Sequence, residues 1–233
     1  MATNAVATSP LEPQLYIKAT GETWLSAAIV ELDRLQEYFT TQKTEDLQVL
    51  DLGCGTGDIT RDVLVPRCLP CRRIVAVDVS EDMVEYARTN FPHPKISYDV
   101  LNIVGDETAD FVKRYGQFDR VYSLFCFNWV KDQAKAIKNV AEMMKPGGDV
   151  LFRFFAATPC MRFRRKLTTM ERWKKYAKIC EDCIPPSLEM ASKEALLSHA
   201  RGLLESANLT PVLCEVRQET TAHYTGLDHL IRK

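Results

Sequence analysis

The stretch Val49 to Asp58, VLDLGCGTGD, sets three glycines in five positions directly behind an apolar run. Glycine spacing of that kind lets a ligand come very close to the backbone. A phosphate-cradling P-loop requires G-x-x-x-x-G-K-[ST], and no lysine stands there. The dinucleotide fingerprint asks for Gly or Ala where this chain has Asp58, because close packing and a phosphate make a carboxylate unwelcome. Asp51, Gly53, Gly55 and Gly57 have the order of an S-adenosylmethionine loop, with Cys54 between the first two glycines. That cofactor carries an ammonium and a sulfonium and no phosphate, so an acid beside the loop is an asset. The remaining reading is a tight strand-to-helix turn that holds nothing.

A second acid sharpens the choice. Asp78, followed by Val79, ends an apolar run 21 residues beyond Gly57. In doubly wound folds an acid about 20 residues past the loop accepts the ribose hydroxyls. Its competing role is to cap the helix of SEDMVEYAR, which Ser80 is equally able to do. Met83 in that first turn is a candidate for the adenine face, or else part of the core. Loop, Asp78 and the strand–helix alternation together favour a methyl-donor cofactor.

Placing those residues requires strands that end at Leu52 and Asp78. LQVLDL, RIVAVD, KISYDVLNI, FDRVYSLF and DVLFRFF read as buried strands. They alternate with helices over 58–65, from Ser80, over DETADFVKRY, and over KDQAKAIKNVAEMMK closed by PGG. This is the signature of an α/β, doubly wound, mostly parallel sheet. An amphipathic stripe of Leu25, Ala28, Leu32, Leu35 and Phe39 starts near Thr20, and residues 1–14 are expected to form a disordered tail. Residues 15–233 then make a single domain.

Between 156 and 190 the rhythm breaks, and the stretch Met161 to Lys178 carries eight Lys/Arg against one Glu. Phe163, Leu167, Met170 and Trp173 keep helical spacing there. The favoured reading is a lid packed over a hydrophobic pocket, with Cys160, Met161, Phe163 and Trp173 as lining; contact with RNA or a membrane surface is the rival. Ser192 caps a further helix, TPVLCEVRQE reads as a strand, and Thr225 and Asp228 are spaced as a capping box opening a last helix.

A net charge of −1 gives no global reason for a nucleic-acid partner. No segment approaches the roughly 20 apolar residues of a membrane span, and MATNAVATSPLEP lacks a signal pattern, so a cytoplasmic location is expected. The eight cysteines include two C-x-x-C pairs, Cys68/Cys71 and Cys180/Cys183, more than 100 residues apart. That separation does not suit a zinc ribbon, and the expectation is reduced thiols without a metal.

LDLGCGTGD, VDVSEDMVEYA and PGGDVLF resemble the class I S-adenosylmethionine-dependent methyltransferases, a Rossmann-like family. The longer FDRVYSLFCFNWVKDQAKAIKNVAEMMKPGGDVLFRFFAATP, with LYIKATGET and RWKKYAKICEDCIPP, is similar to the arthropod juvenile hormone acid methyltransferases, over about 15–233. The resemblance implies that Asp51, Gly53, Cys54, Gly55 and Gly57 line the methionine part of the cofactor. It implies that Asp78 takes the ribose, with Val79 beside it among the cofactor-binding residues, and that the end of the third strand, Asn102 and Ile103, faces adenine. Tyr16 and Lys18 would close over the cofactor, while Asn128 and Trp129 would meet the substrate carboxyl. Thr23 stands where the family carries a substrate-facing Gln, Asn128 where it has His, and Asn102 where it has Asp. The family also continues beyond the end of this chain, with a last strand of the sheet.

A carboxylic acid of pKa roughly 4–5 is already ionised at pH 7, so its methylation needs positioning and donors, not a general base. Asn128 and Trp129 each have an N–H to offer. The expected activity is therefore methyl transfer to a small hydrophobic acid, isoprenoid or fatty. Methylation of another substrate class such as RNA, and a non-catalytic cofactor- or lipid-binding relative, are the alternatives.

Overall fold

The computed structural model describes residues 12–217. Five strands, β1 (Gln48–Leu52), β2 (Arg73–Asp78), β3 (Ile96–Val100), β4 (Phe118–Leu124) and β5 (Met144–Arg153), form one parallel sheet in the order β3-β2-β1-β4-β5. The order reverses between β1 and β4, and ligands of open α/β sheets bind at the carboxyl ends of the strands at such a point. In register, Asp51 lies beside Ala76 of β2 and Tyr122 of β4.

The two faces follow from strict alternation along each strand. Leu50, Leu52, Val75, Val77 and Val121 point to one face, where α4 (Thr108–Tyr115) and α5 (Gln133–Met143) supply Phe111, Ile137, Val140 and Met143. Val49, Ile74 and Tyr122 point to the other, against Ala28 and Leu32 of α1 (Pro13–Leu35) and Val63 to Val65. Ala76 meets Val84 and Ala87 of α3 (Glu81–Asn90) on that second face. Each fully buried Val, Leu, Ile, Phe or Met side chain among them contributes about 1.5–3 kcal/mol.

Caps set the helix starts. Ser80 Oγ accepts the Met83 N–H at 3.3 Å, and Asp132 Oδ1 accepts that of Lys135 at 3.0 Å. Behind the glycine loop a π-helical stretch, Thr60–Leu64, leads into the single turn of α2 (Val65–Cys68). The 156–190 segment folds as α6 (Pro159–Thr168), a 3₁₀ helix (Glu171–Tyr176), α7 (Ala177–Asp182) and a second 3₁₀ turn (Pro186–Glu189). Then α8 (Lys193–Ser206) follows its Ser192 cap.

Three expectations need correction. Helix α1 starts at Pro13, inside the expected tail and well before Thr20, with proline at its first position as its missing N–H allows. Pro146, Gly147 and Gly148 do not close α5; they lie within β5, whose register with β4 shifts between Phe118 and Arg120. Residues 211–217, expected as part of a strand, pair with no strand among the described residues. Instead Arg217 bonds Glu31 at 2.8 Å and Glu215 meets Arg34 at 2.5 Å, tying the segment to α1. The capping box at Thr225 and Asp228 and the tail over 1–11 lie outside the described residues. Among those described, no helix is long and apolar enough to cross a membrane.

Candidate cofactor and substrate site

Past Leu52 the chain turns through Gly53, Gly55 and Gly57 at φ of +76°, +53° and +82°. Only glycine enters that region without strain. The turn is pinned by the N–H groups of Gly53 and Cys54, both donating to the Val77 carbonyl at 2.8 and 2.9 Å. The glycines differ in what surrounds them. A Cβ on Gly53 would stand 2.5 Å from Cys126 Sγ, and one on Gly57 would stand 2.7 Å from Ala87 Cβ and 2.8 Å from Tyr98 Oη. A Cβ on Gly55 would meet nothing within 4 Å. Two glycines let protein elements touch; the third faces open space.

Three carboxylates of the loop region, Asp51, Asp58 and Asp78, lie close enough to feel one another's charge, and Asp78 borders Gly55 directly. Asp78 Oδ2 accepts the Gly55 N–H at 3.0 Å and Oδ1 accepts that of Ser80 at 2.9 Å. A carboxylate has about four acceptor positions, so some remain for a ligand. Burial raises the Asp78 pKa, opposed by those backbone bonds. Asp51 is 3% exposed and accepts the Thr60 hydroxyl at 2.6 Å, a partner delivered by the π-helical stretch. Burial pushes its pKa up to about 7, and the charges of Asp78 and Asp58 add to the rise. Asp58 Oδ1 accepts from Thr56 Oγ1 at 2.6 Å. Every hydrogen-bond partner found for these acids is neutral, so the cradle is electronegative. A cationic ligand without phosphate fits it; a pyrophosphate does not.

Helix α1 crosses above the loop. The Tyr16 phenol is pushed up to about 12, chiefly by burial, with Asp58, Asp78 and Cys126 around it. A Cβ on Gly21 would lie 3.9 Å from Asp58 Oδ2. Lys18 and Thr23 are exposed. Thr23 therefore does not take up the inward position expected of it; the inward residue is its neighbour Trp24, whose ring lies 5.1 Å from Phe125 and 5.3 Å from Phe155. Met83 is buried at the start of α3, and Val79 is exposed beside Asp78. Asn102 Oδ1 accepts the Val104 N–H, while Ile103 packs in the core rather than toward the cradle.

The end of β4 holds the sharpest departure. Phe125 sits at φ +59°, its N–H donating to the Arg153 carbonyl at 2.6 Å. The Asn128 amide, oriented by its partners, donates from Nδ2 to the Phe125 carbonyl at 2.9 Å and accepts the Trp129 indole N–H on Oδ1 at 2.8 Å. The two donors expected at a substrate carboxyl are thus engaged with the turn and with each other. Over the Trp129 ring lies the Arg164 guanidinium, 4.2 Å from its centroid, half-buried and without an acidic partner among the described residues.

Arg164 was missed because the inward face of α6 runs through Met161, Arg164 and Leu167, not through Phe163. Met161 is buried with Ile184 and Leu188. Cys160, Phe163 and Trp173, expected as pocket lining, are exposed. The buried phase of the helix, anchored on Met161, was the available signal.

Residues 49–148 match the family model described as a methyltransferase domain. That stretch, 100 of the 233 residues, is thus similar to methyltransferase domains. A juvenile hormone acid O-methyltransferase of Bombyx mori is 34% identical over 139 residues, 60% of this chain and 49% of that protein. A malonyl-[acyl-carrier protein] O-methyltransferase of Acetivibrio thermocellus is 30% identical over 151 residues, 65% of this chain and 49% of that one. The chain spans about half the length of these curated relatives. A solved SAM-dependent methyltransferase from Anabaena variabilis shares the fold, with TM-score 0.50 at 19% identity over 77% of this chain and 76% of the other. The stretch matched by the methyltransferase domain holds the glycine loop, the acids and Trp129, whereas Tyr16, Trp24 and Arg164 lie outside it.

Proposed function

We propose that this chain transfers a methyl group from S-adenosylmethionine to the carboxylate of a small hydrophobic acid in the cytoplasm. The observation that carries the reading is the open cradle at Gly55, bordered by Asp78, with Asp51 and Asp58 close enough to feel its charge and each other's. S-adenosylmethionine, when bound, supplies a methyl on a cationic sulfonium. Asp78 has acceptor positions left for the ribose hydroxyls, Asp51 and Asp58 balance the cationic end, and Tyr16 on α1 keeps water from the loop. Met83, Val79 and Asn102 border the adenine side.

Arg164 supports the acid substrate. Its planar guanidinium, held on Trp129, is matched to a carboxylate, and the Asn128–Trp129 pair positions that platform. Trp24, Phe125 and Phe155 offer an apolar wall for the substrate's carbon chain. The acid arrives ionised, so no residue has to remove a proton. The names of the two relatives above, both O-methyltransferases of carboxyl compounds, agree with this choice. The cytoplasmic setting is supported by eight free cysteines.

The test is transfer of labelled methyl from S-adenosylmethionine to a panel of fatty and isoprenoid acids, with release of label by mild alkali. An alkali-labile product is expected, and Arg164→Ala should lower kcat/KM about 100-fold with cofactor affinity unchanged. Cofactor binding without turnover on any acid would overturn the catalytic reading and leave a cofactor-binding relative. Label entering RNA instead would overturn the substrate class.

A further inference from the structure

Met170, Trp173, Tyr176 and Ile179 recur every third residue, and all four are exposed, at 43, 37, 42 and 39%. A three-residue repeat drifts around an α-helix, but Glu171–Tyr176 is a 3₁₀ helix, in which residues i and i+3 eclipse. Trp173 and Tyr176 therefore stand in line within it, with ring centroids 6.1 Å apart. Met170 just before the helix and Ile179 in the following α7 flank the pair; these four exposed residues make up the apolar ridge of the segment.

Charge is concentrated in the same place. Residues 156–190 hold eight Lys/Arg and four Asp/Glu, a net +4, while the whole chain is −1; the rest of the chain therefore carries −5. The cations interleave the ridge. Arg172 lies 5.5 Å over Trp173 and Lys175 lies 4.8 Å over Tyr176, while Lys174 and Lys178 are 70 and 88% exposed. Their pairs with Glu171 and Asp182 are surface contacts that an anionic partner readily replaces.

We propose that this ridge docks the chain on an anionic lipid surface. Trp173 and Tyr176 sit at headgroup level, Met170 and Ile179 reach the acyl boundary, and the lysines and arginines face lipid phosphates. RNA fits less well: Met170 and Ile179 have neither a π-face nor a polar atom for a base, and the two rings already carry cations of this chain. Helix α6 connects this surface with the site, since Arg164 turns inward to Trp129 while Phe163 is 59% exposed. The inference does not depend on the proposed activity.

The experiment sediments the full chain with vesicles of phosphatidylcholine alone and of phosphatidylcholine containing a third phosphatidylserine, at low and high salt. Binding to the anionic vesicles, weakened by salt, is the expected result. Each cation near such a surface is worth about fivefold, so Lys174→Glu/Lys175→Glu should weaken partitioning more than about 25-fold. Trp173→Ser should weaken it about tenfold without changing the melting temperature. Should Trp173→Ser itself melt early, the charge pair, which leaves every apolar contact in place, decides alone. Absence of partitioning, equal partitioning of wild type and charge variant, or loss of oligonucleotide rather than vesicle binding in that variant would overturn the proposal. So would a change in molar mass by light scattering, which would make the ridge a contact between two copies.

Discussion

Asp78 Oδ2 accepts the backbone N–H of Gly55 at 3.0 Å, so the acid that ends β2 and the glycine that opens the cradle form one unit. Removing the carboxylate then costs more than a ligand contact. Asp78→Ala leaves the Gly55 and Ser80 N–H groups without their acceptor, and stability should fall by about 1–3 kcal/mol. Affinity for S-adenosylmethionine should fall at least about 100-fold, the value of two charge-assisted hydrogen bonds. Asp78→Asn keeps an acceptor for one of the two N–H groups and turns an NH2 toward the other, so it should lose less stability than Asp78→Ala while affinity still drops. Calorimetric titration and thermal melts of the free protein separate the two effects. Unchanged affinity in Asp78→Asn would remove the ribose role.

The glycines divide the same way. Gly55→Ala meets only the strain of φ +53°, about 1–2 kcal/mol, because nothing lies within 4 Å of its Cβ. Gly57→Ala adds collisions with Ala87 and Tyr98 and should lose about a further 1–3 kcal/mol. Cofactor affinity should suffer at Gly55 even where the free protein still melts normally. Should Gly55→Ala bind like wild type, the open space beside it is not the cofactor's.

The glycine loop, Asp78 and the Ser80 cap were legible in the sequence because each acts through its own backbone or within three residues. The two sheet faces were legible because alternation along β1 and β2 is local. Long-range geometry was not. Thr23 and Trp24 differ by one position on α1, and only the packing of Trp24 against Phe125 decides which faces inward. The apparent period from Phe163 to Trp173 crosses a break at Thr168, where an α-helix gives way to a 3₁₀ helix and the buried phase changes. That Asn128 and Trp129 satisfy each other depends on the 3₁₀ turn Phe127–Trp129, which nothing in the FNW triplet announces.

That mutual bond makes a prediction of its own. Asn128→Ala leaves the Phe125 carbonyl and the Trp129 indole unpaired, and Trp129→Phe leaves the buried Asn128 oxygen unpaired. Each should cost about 1–3 kcal/mol. The double variant should cost less than the sum, by about 1 kcal/mol, since both changes break one bond. Cofactor affinity should stay within about twofold in all three, because the bond lies at the turn and not in the cradle. Additive losses would mean that the two side chains act separately, as the sequence had suggested.

If the cationic end of the cofactor lies near the buried Asp51, as proposed, its binding should depend on pH. Its pKa stands at about 7 in the folded chain, raised by burial and by Asp78 and Asp58, against about 3.9 unfolded. A raised acid pKa favours the fold fully below about pH 4, and that contribution is lost as pH climbs through 7. Ionised Asp51 thus costs the free protein stability above pH 7, and Asp51→Asn should gain on wild type at pH 8 but not at pH 4. A bound cation favours the ionised acid, so binding expels its proton. Affinity for S-adenosylmethionine should rise from pH 6 to 8, falling about tenfold per unit below 7. The cofactor's own amino group titrates nearby, so the informative quantity is the slope that Asp51→Asn removes. Titrations in buffers of different ionisation enthalpy count the protons released. Equal pH slopes in wild type and Asp51→Asn would show that Asp51 stays in one protonation state throughout, and that Asp58 and Asp78 alone meet the cationic end of the ligand.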